Sequence, residues 1–255
     1  RCSYCLPEGY QKCGNQNALS AKEILHLVRG FARLGVWKVR LTGGEPTLRA
    51  DFLDIAAQIA GTKGIRKLAL TTNGYKLPER AQSYKDAGIK AINISIDSLD
   101  PERFAAVTGH DRLPEVLAGV EACLKSGFSD IKINTVLLNG INDDELNRFV
   151  EFVKSRAISL RFIELMQTRD NAGYFKAHHL NGSHISDFLS DRGWSLTERA
   201  EGAGPAFEYR HPDVKGKIGI ISPYAKDFCK NCNRLRVSST GDLHLCLFGA
   251  GGYSL

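Results

Sequence analysis

Five cysteines stand in two groups whose spacing could support metal or thiolate chemistry. Cys2 and Cys5 form a CxxC pair, and Cys229 and Cys232 form another that is followed, after thirteen further residues, by Cys246. An isolated CxxC occurs in zinc ribbons, thioredoxin-like redox pairs and iron–sulfur loops. Because the first pair does not follow a strand and open a helix, the thioredoxin-like interpretation is disfavoured.

The second group offers three thiolates and no fourth cysteine within its segment. Structural zinc sites are closed by four protein ligands, so this group indicates a metal site with an open position for a ligand. The alternative is one zinc site built from both CxxC pairs, which would leave Cys246 spare. Cys123 lies among apolar residues at helical spacing and is interpreted as a buried small hydrophobic residue, whereas Cys13 lies in a polar stretch that assigns it no role.

The elements that must position these groups repeat a strand followed by a helix. Apolar-periodic helices are expected after a capping box at Ser20 and Glu23, over Asp143–Arg156 and near His184–Asp191, and a hairpin-like stretch follows the last of them. Repeated βα units of this kind build parallel sheets. The predicted strands are Lys38–Thr42, Lys67–Thr72, Ala91–Asp97, Ile131–Leu138 and Leu160–Leu165.

The predicted strands have one apolar and one polar face. A parallel sheet covered on both sides is usually apolar on both faces, and a closed eight-stranded barrel fills its interior with branched apolar side chains. We therefore expect an incomplete barrel with a polar, cation-rich cavity, the alternative being a sheet with one solvated face. The polar face carries Lys38, Arg40, Thr42, Lys67, Thr71, Asn93, Ser95, Asp97, Lys132, Asn134 and Arg161.

Length and composition set the class of protein. The chain has 255 residues, 43% of them apolar, and a net charge of +6. It is long enough for one large or two smaller domains, and we expect a boundary that divides it into residues 1–167 and 168–255. No apolar run is long enough to cross a membrane. The positive charge favours an anionic partner such as a nucleotide, phosphate or RNA. An odd cysteine count without a visible signal peptide favours a reducing, cytoplasmic location.

Five motifs are distributed along the whole chain: RCSYC at its start, LTGGEP at Leu41–Pro46, TTNG at Thr71–Gly74, RFIELM at Arg161–Met166 and CNRLRVSSTGDLHLC at Cys232–Cys246. Together they resemble the radical S-adenosylmethionine GTP 3′,8-cyclase family of molybdenum cofactor biosynthesis. The resemblance implies an α/β fold, namely an incomplete (βα)6-type radical SAM barrel whose first strand is missing from this chain. It also implies a carboxyl-terminal extension that carries a second iron–sulfur cluster.

The resemblance implies two 4Fe-4S clusters and S-adenosylmethionine as cofactors. Cys2 and Cys5 match the second and third cysteines of the family's CxxxCxxC loop, and Cys229, Cys232 and Cys246 match the ligands of the second cluster, whose open iron meets guanine. The residues implied to surround S-adenosylmethionine are Tyr4, Gly44, Ser95 and Met166. Those implied to bind GTP are Arg40, Thr71, Lys132, Arg234 and Arg236, with Lys38 and Arg161.

In the reaction that the resemblance implies, a 5′-deoxyadenosyl radical removes a hydrogen atom from C3′ of GTP, the C3′ radical attacks C8 of guanine, and reduction gives the 3′,8-cyclic dihydro product. The first cysteine of the family's loop would stand four residues before Cys2, and family members carry further segments at both ends, so we expect this sequence to be a fragment. We also expect an external electron donor and no membrane or nucleic-acid partner, and a homodimer is the candidate assembly. The rival interpretations are a radical SAM enzyme that acts on a peptide or RNA, and a basic, zinc-stapled binding module without catalysis.

Overall fold

The computed structural model describes residues 2–5, 18–168, 171–198, 204–226, 228–230, 232–246 and 252–255. In these ranges the helices are α1 (Ala21–Arg33), α2 (Phe52–Ala60), α3 (Leu77–Asp86), α4 (Pro101–Thr108), α5 (Leu113–Lys125), α6 (Leu146–Lys154), α7 (Ala172–His178) and α8 (Ser183–Ser190). The strands are β1 (Lys38–Leu41), β2 (Lys67–Thr72), β3 (Ile89–Ser95), β4 (Asp130–Leu137), β5 (Ser159–Glu164), β6 (Ser195–Leu196), β7 (Phe207–Arg210), β8 (Lys217–Ile221), β9 (Arg236–Val237), β10 (Asp242–His244) and β11 (Tyr253–Ser254). None of these helices combines the length and apolarity that a bilayer crossing requires.

Most strands belong to one sheet, whose order among the described residues is β1-β2-β3-β4-β5-β8-β7-β6. The first six strands in this order are parallel, and β7 and β6 are added antiparallel. The predicted α/β fold with a parallel sheet is confirmed. Strand β8 comes from the last third of the chain and pairs with β5, so the sheet continues past residue 167. The division into 1–167 and 168–255 stays a prediction.

The apolar face of the strands forms the core against the helices, as the alternation predicts. Leu70, Ile94, Ile133, Leu160 and Phe162 are almost completely buried in one cluster with residues of the surrounding helices. That cluster also contains Cys123, whose pKa burial raises to about 12, so its interpretation as a buried apolar residue is confirmed. Cys13 lies outside the described residues.

The ends of the elements show where side chains replace the regular backbone pattern. Helix α1 begins with the predicted capping box, in which Ser20 and Glu23 each bond to the other's backbone N–H. Strand β3 ends at Ser95 and not at Asp97, because the Asp97 carboxylate accepts the backbone N–H of Val136 in place of a ladder partner. The predicted helix over Asp143–Arg156 opens with a short 3-10 turn before α6.

Charged side chains of distant strands share one side of the parallel sheet. Lys67 on β2 forms an ion pair at 2.6 Å with Asp130 of β4, two strands away. The charge of Arg161 on β5 also lowers the pKa of Arg40 on β1, although four strand spacings separate these strands in the sheet. The polar faces of these strands therefore line one charged region. We call the side opposite the core the lumen face.

Candidate functional site

The lumen face collects the predicted cations into one electrostatic group. Arg40 donates to Thr71 Oγ1 at 3.1 Å, which joins β1 to β2. Burial, together with the charges of Arg161 and Arg234, lowers the pKa of Arg40 to about 10. Burial and the charges of Arg40, Lys67 and Arg161 also lower the pKa of Lys38. The pKa values of both residues are lowered first by burial and then by the neighbouring positive charges.

Lys132 shows the strongest effect of this crowding. Its side chain is 12% exposed and contacts Asp130. Burial lowers its pKa to about 6, and the surrounding cations, chiefly Arg161, act in the same direction. A lysine in this state gains strongly from an added anion, because the anion offsets both the neighbouring charges and the lost hydration.

Two carboxylates partly balance the cations. Asp130 forms an ion pair with Lys67 at 2.6 Å and also contacts Lys132. Glu208 on β7 contacts Lys217 and lies 3.4 Å from Arg161. Arg161 is only 11% exposed, and although Glu208 opposes the change, burial lowers its pKa. Basic groups outnumber acidic ones on the lumen face of the described strands.

Several polar atoms of the lumen face are buried without a hydrogen-bond partner among the described residues. They are Asn93 Oδ1, Asn134 Oδ1, Ser159 Oγ and Arg161 Nε. Buried polar atoms are almost always paired, and each unpaired one costs about 1–3 kcal/mol. All four belong to β3, β4 and β5 at positions of the polar face. Their clustering indicates a cavity that is completed by a polar ligand.

The residues implied to surround the cofactor lie at the carboxyl end of the strands, where ligands of parallel sheets bind. Gly44 follows β1, Ser95 ends β3, and Met166 follows β5. The loop at residues 2–5 reaches the same edge, because Tyr4 donates to Asp97 Oδ2 at 2.9 Å and Ser3 N donates to Val107 O at 2.9 Å. The structure therefore places all four predicted cofactor residues at one edge.

Glu45 fixes the LTGGEP loop at this edge. Its carboxylate accepts hydrogen bonds from Thr47 N at 3.1 Å, Thr72 Oγ1 at 3.0 Å and Asn73 N at 2.7 Å. These bonds connect the loop after β1 to the TTNG turn at the end of β2. Gly43 has a φ of +154°, a conformation that is essentially restricted to glycine. Open space surrounds the position of its missing Cβ, so backbone conformation rather than close packing requires this glycine.

The first CxxC pair forms a tight turn, with Cys5 N donating to Cys2 O at 3.0 Å. Cys2 is half-buried and Cys5 is exposed. Burial and the nearby Asp97 raise the pKa of the Cys2 thiol to about 11. Thiolates are the usual ligands of iron–sulfur clusters, so the donor chemistry of this pair fits such a cluster.

The second cysteine group lies in the short segment that leads into β9 and out of β10. Cys229, Cys232 and Cys246 are all exposed free thiols. Burial opposes the change, but hydrogen bonds from Arg234 and the charges of Arg234 and Arg236 lower the pKa of Cys232, which favours its thiolate. The donor chemistry again fits a cluster. In the described ranges, no three potential ligand side chains are gathered closely enough to hold a metal ion.

The two arginines of this segment differ in environment. Arg236 is half-buried on β9, where it pairs in register with His244 of β10. Arg234 lies just before the strand and is exposed, but its charge lowers the pKa values of Arg40 and Arg161. The predicted extended segment is thus a strand only from Arg236. Arg234 links the cysteine segment electrostatically to the lumen face.

Sequence reasoning did not select every residue of this site. Asp97 and Lys67 were on the predicted polar face, but no role was assigned to either. Asp130 stands two residues before Lys132 on the same strand face, a spacing that could have identified it. Glu208 and Lys217 lie on β7 and β8, whose pairing with the distant β5 has no local sequence signal.

Comparison with protein families matches two models to this chain. Residues 1–153 match the radical SAM superfamily, and residues 158–255 match the molybdenum cofactor synthesis C family. A GTP 3′,8-cyclase of Stenotrophomonas maltophilia is 53% identical over 255 residues, which are 100% of this chain and 78% of that protein. A GTP 3′,8-cyclase of Tolumonas auensis is 52% identical, with 100% of this chain and 76% of that protein covered.

Solved structures share the fold at low sequence identity. Streptococcus suis SuiB bound to S-adenosylmethionine is 17% identical, with a TM-score of 0.69 over 96% of this chain and 57% of that chain. Native anSMEcpe with bound AdoMet and Cp18Cys peptide is also 17% identical, with a TM-score of 0.58 over 75% of this chain and 54% of that chain. At this identity the likeness supports the fold alone.

Proposed function

We propose how this chain handles substrate and cofactor from one premise: it belongs to the GTP 3′,8-cyclase family, the radical SAM enzymes of molybdenum cofactor biosynthesis. Membership of the radical SAM superfamily implies S-adenosylmethionine and a 4Fe-4S cluster as cofactors. When bound, these cofactors supply the radical that removes a hydrogen atom from the substrate. The residues of the chain bind, orient and shield the reacting groups.

The substrate of the proposed reaction is GTP, and the lumen face is its triphosphate site. The observation that carries this assignment is the crowding of Arg40, Lys132 and Arg161, whose pKa values are all lowered in a partly dehydrated cavity. A triphosphate would satisfy these groups with paired, charge-assisted hydrogen bonds. Thr71 and Lys38 lie beside Arg40 and complete the set expected from the sequence.

The second cysteine group is proposed to hold an auxiliary 4Fe-4S cluster that faces guanine. Cys229, Cys232 and Cys246 supply three thiolates, and Arg234 and Arg236 lie in the same segment with planar guanidinium groups suited to a purine edge. The charge of Arg234 reaches the lumen cations, so a nucleotide could contact both regions. This arrangement would orient guanine while its triphosphate occupies the lumen.

The carboxyl edge of the sheet is proposed to hold the radical cofactor. Cys2 and Cys5 would hold the first cluster, and Tyr4, Gly44, Ser95 and Met166 would surround S-adenosylmethionine. Overall, C3′ loses a hydrogen atom and bonds to C8 of guanine, and one electron from the external donor and one proton then complete the 3′,8-cyclic dihydro nucleotide. The chain's contribution is to bring C3′ toward the cofactor edge and to exclude water, which accelerates a reaction by positioning.

The triphosphate assignment is tested by removing one lumen cation at a time. Arg40→Ala and Lys132→Ala should each weaken GTP binding by about 1.5–3 kcal/mol, the usual scale for a hydrogen bond to a charged group. Isothermal titration of the anaerobically reconstituted full-length protein measures the Kd, and Lys63→Ala, which replaces an exposed lysine, is the control. Unchanged GTP affinity in both lumen variants would remove the basis of the assignment.

The auxiliary cluster is tested in the full-length protein by replacing Cys229, Cys232 and Cys246 together with Ala. We expect part of the bound iron to be lost, release of 5′-deoxyadenosine to continue in part, and the cyclised product to disappear, because the substrate loses its orientation. Cys123→Ala is the matched control, since that thiol is buried in the core. Normal cyclised product, or zinc in place of iron, would contradict the proposal.

The remaining expectations concern the cell. A cytoplasmic location, an external electron donor, a homodimer and the absence of a nucleic-acid partner stay predictions. The rival radical enzyme acting on a peptide or RNA predicts no cyclised nucleotide from GTP. The titration and product assays above therefore also discriminate against it.

A further inference from the structure

Two asparagines of the lumen face each have a buried side-chain oxygen without a hydrogen-bond partner among the described residues. Asn93 on β3 is 6% exposed, and its Oδ1 atom is one of the two. Asn134 on the neighbouring β4 is half-buried, and its Oδ1 atom is the other. A buried carboxamide oxygen without a hydrogen bond is destabilising, so a fold does not retain two of them on adjacent strands without a compensating role.

A third buried asparagine shows what the fold does when the role is structural. The Oδ1 atom of Asn142 accepts a hydrogen bond from Leu138 N at 2.8 Å, and its Nδ2 atom donates to Asp97 O at 2.6 Å and to Val136 O at 2.8 Å. Its hydrogen-bonding capacity is thus met within the chain. The contrast indicates that Asn93 and Asn134 find their partner in a bound ligand.

The strand register places both carboxamides between the two proposed binding regions. Asn93 lies beside Lys132 of β4 and Thr71 of β2, which belong to the proposed GTP site. Asn134 lies between Ser95 of β3, on the proposed cofactor edge, and Arg161 of β5. The pair therefore stands where a substrate group would meet the cofactor.

The chemistry of the carboxamide selects the part of the nucleotide. In the function proposed above, the cations take the triphosphate, and Arg234 and Arg236 take guanine, which leaves the ribose. Ribose hydroxyls both donate and accept hydrogen bonds. A carboxamide offers one acceptor, Oδ1, and one donor group, Nδ2, and a 180° rotation about χ2 exchanges their positions. We propose that Asn93 and Asn134 bind the ribose hydroxyls of GTP and so hold C3′ at the cofactor edge.

This inference rests on the proposed GTP site, and its test separates the two. The Kd values of GTP, 2′-deoxy-GTP and 3′-deoxy-GTP are measured by titration of the anaerobically reconstituted, full-length wild-type protein. We expect at least one deoxy analogue to bind about five- to tenfold more weakly, the equivalent of one lost hydrogen bond. Failure to bind GTP at all would overturn the proposed function. If GTP binds and the Kd values of all three nucleotides are equal, only the ribose assignment is overturned.

Variants then identify the residues responsible. Asn93→Ala and Asn134→Ala should each weaken GTP binding about five- to tenfold and reduce the preference for GTP over the deoxy analogue toward unity. Asn147→Ala, an exposed asparagine on α6, should leave both quantities unchanged. If both lumen variants keep the wild-type preference for GTP over the deoxy analogue, the assignment of these asparagines to the ribose is overturned. If an alanine variant does not fold, the nearly isosteric Asn→Asp variant at the same position, which removes the N–H donor, replaces it and should likewise reduce the preference for GTP over the deoxy analogue.

Discussion

The parallel sheet and the carboxyl-terminal segment are stabilised in different ways. Strands β1–β5 and β8 bury an apolar face against helices, and Phe162, for example, is 1% exposed and meets Phe149 edge-to-face at 5.5 Å. In the described part of residues 228–255, large apolar side chains stay exposed, among them Leu245 at 59%. The sheet therefore holds its shape through burial of its own side chains, whereas the last segment has little apolar burial and carries ligand-type thiols.

This difference shows how one chain separates stability from chemistry. The helix-facing side of each strand is apolar and closely packed, and the lumen face of the same strand keeps crowded cations and unpaired polar atoms that cost free energy. The core must offset that cost. Substitutions on the two faces and in the last segment should consequently have effects of very different size.

The largest effect is expected in the core. Phe162→Ala should lower the free energy of unfolding by about 3–5 kcal/mol, because it opens a cavity in a fully buried cluster. Leu245→Ala should change it by less than about 0.5 kcal/mol, since that side chain is exposed. Urea denaturation followed by circular dichroism measures both. Losses of equal size would show that the last segment has a core of its own.

An intermediate effect is expected for pH at the lumen. The free protein holds Lys132 at a pKa of about 6, and a bound triphosphate should raise it, so GTP binding above pH 6 takes up a proton. Affinity should fall as pH rises from about 6 toward 8, by at most tenfold per unit for one proton. Calorimetry at pH 7.5 in buffers of different ionisation enthalpy measures the uptake. An equal uptake in Lys132→Met would exclude this residue as its source.

The lowered pKa of Lys132 also makes the stability of the ligand-free protein depend on pH. Between pH 6 and the usual lysine value of 10.5, the unfolded chain binds a proton at Lys132 that the folded chain does not. The contribution of this residue to stability therefore increases as pH rises through that window and is constant below it. Lys132→Met should reduce this slope, which thermal unfolding at several pH values would detect.

The smallest effect on overall stability is expected from removing iron. Chelation should change the unfolding free energy of the parallel sheet by less than about 0.5 kcal/mol, because the core formed by the described residues contains none of the proposed cluster ligands. Cleavage by a protease should meanwhile increase within residues 228–230 and 232–246, where little apolar surface is buried. A sheet that unfolds together with cluster loss would contradict the proposed division of roles.

Much of this architecture follows from local sequence. The alternation of apolar and polar residues over five strands predicted both the core and the lumen face, because successive side chains of a strand point to opposite sides. The capping box at Ser20 and Glu23 predicted the start of α1 because its hydrogen bonds involve residues three apart. Cysteine spacing and the motifs along the chain likewise determined the family.

Other features depend on contacts between distant segments. The pairing of β8 with β5 brings Glu208 and Lys217 beside Arg161, and no local pattern encodes that approach. The state of Asn93 is also a tertiary property, since the sequence shows a polar residue on a strand and only packing decides whether its oxygen finds a partner. The charge type of each residue follows from the sequence, but burial and proximity, which set pKa values and hydrogen bonding, arise only when the strands pair and bring the charge of Arg161 to bear on Arg40.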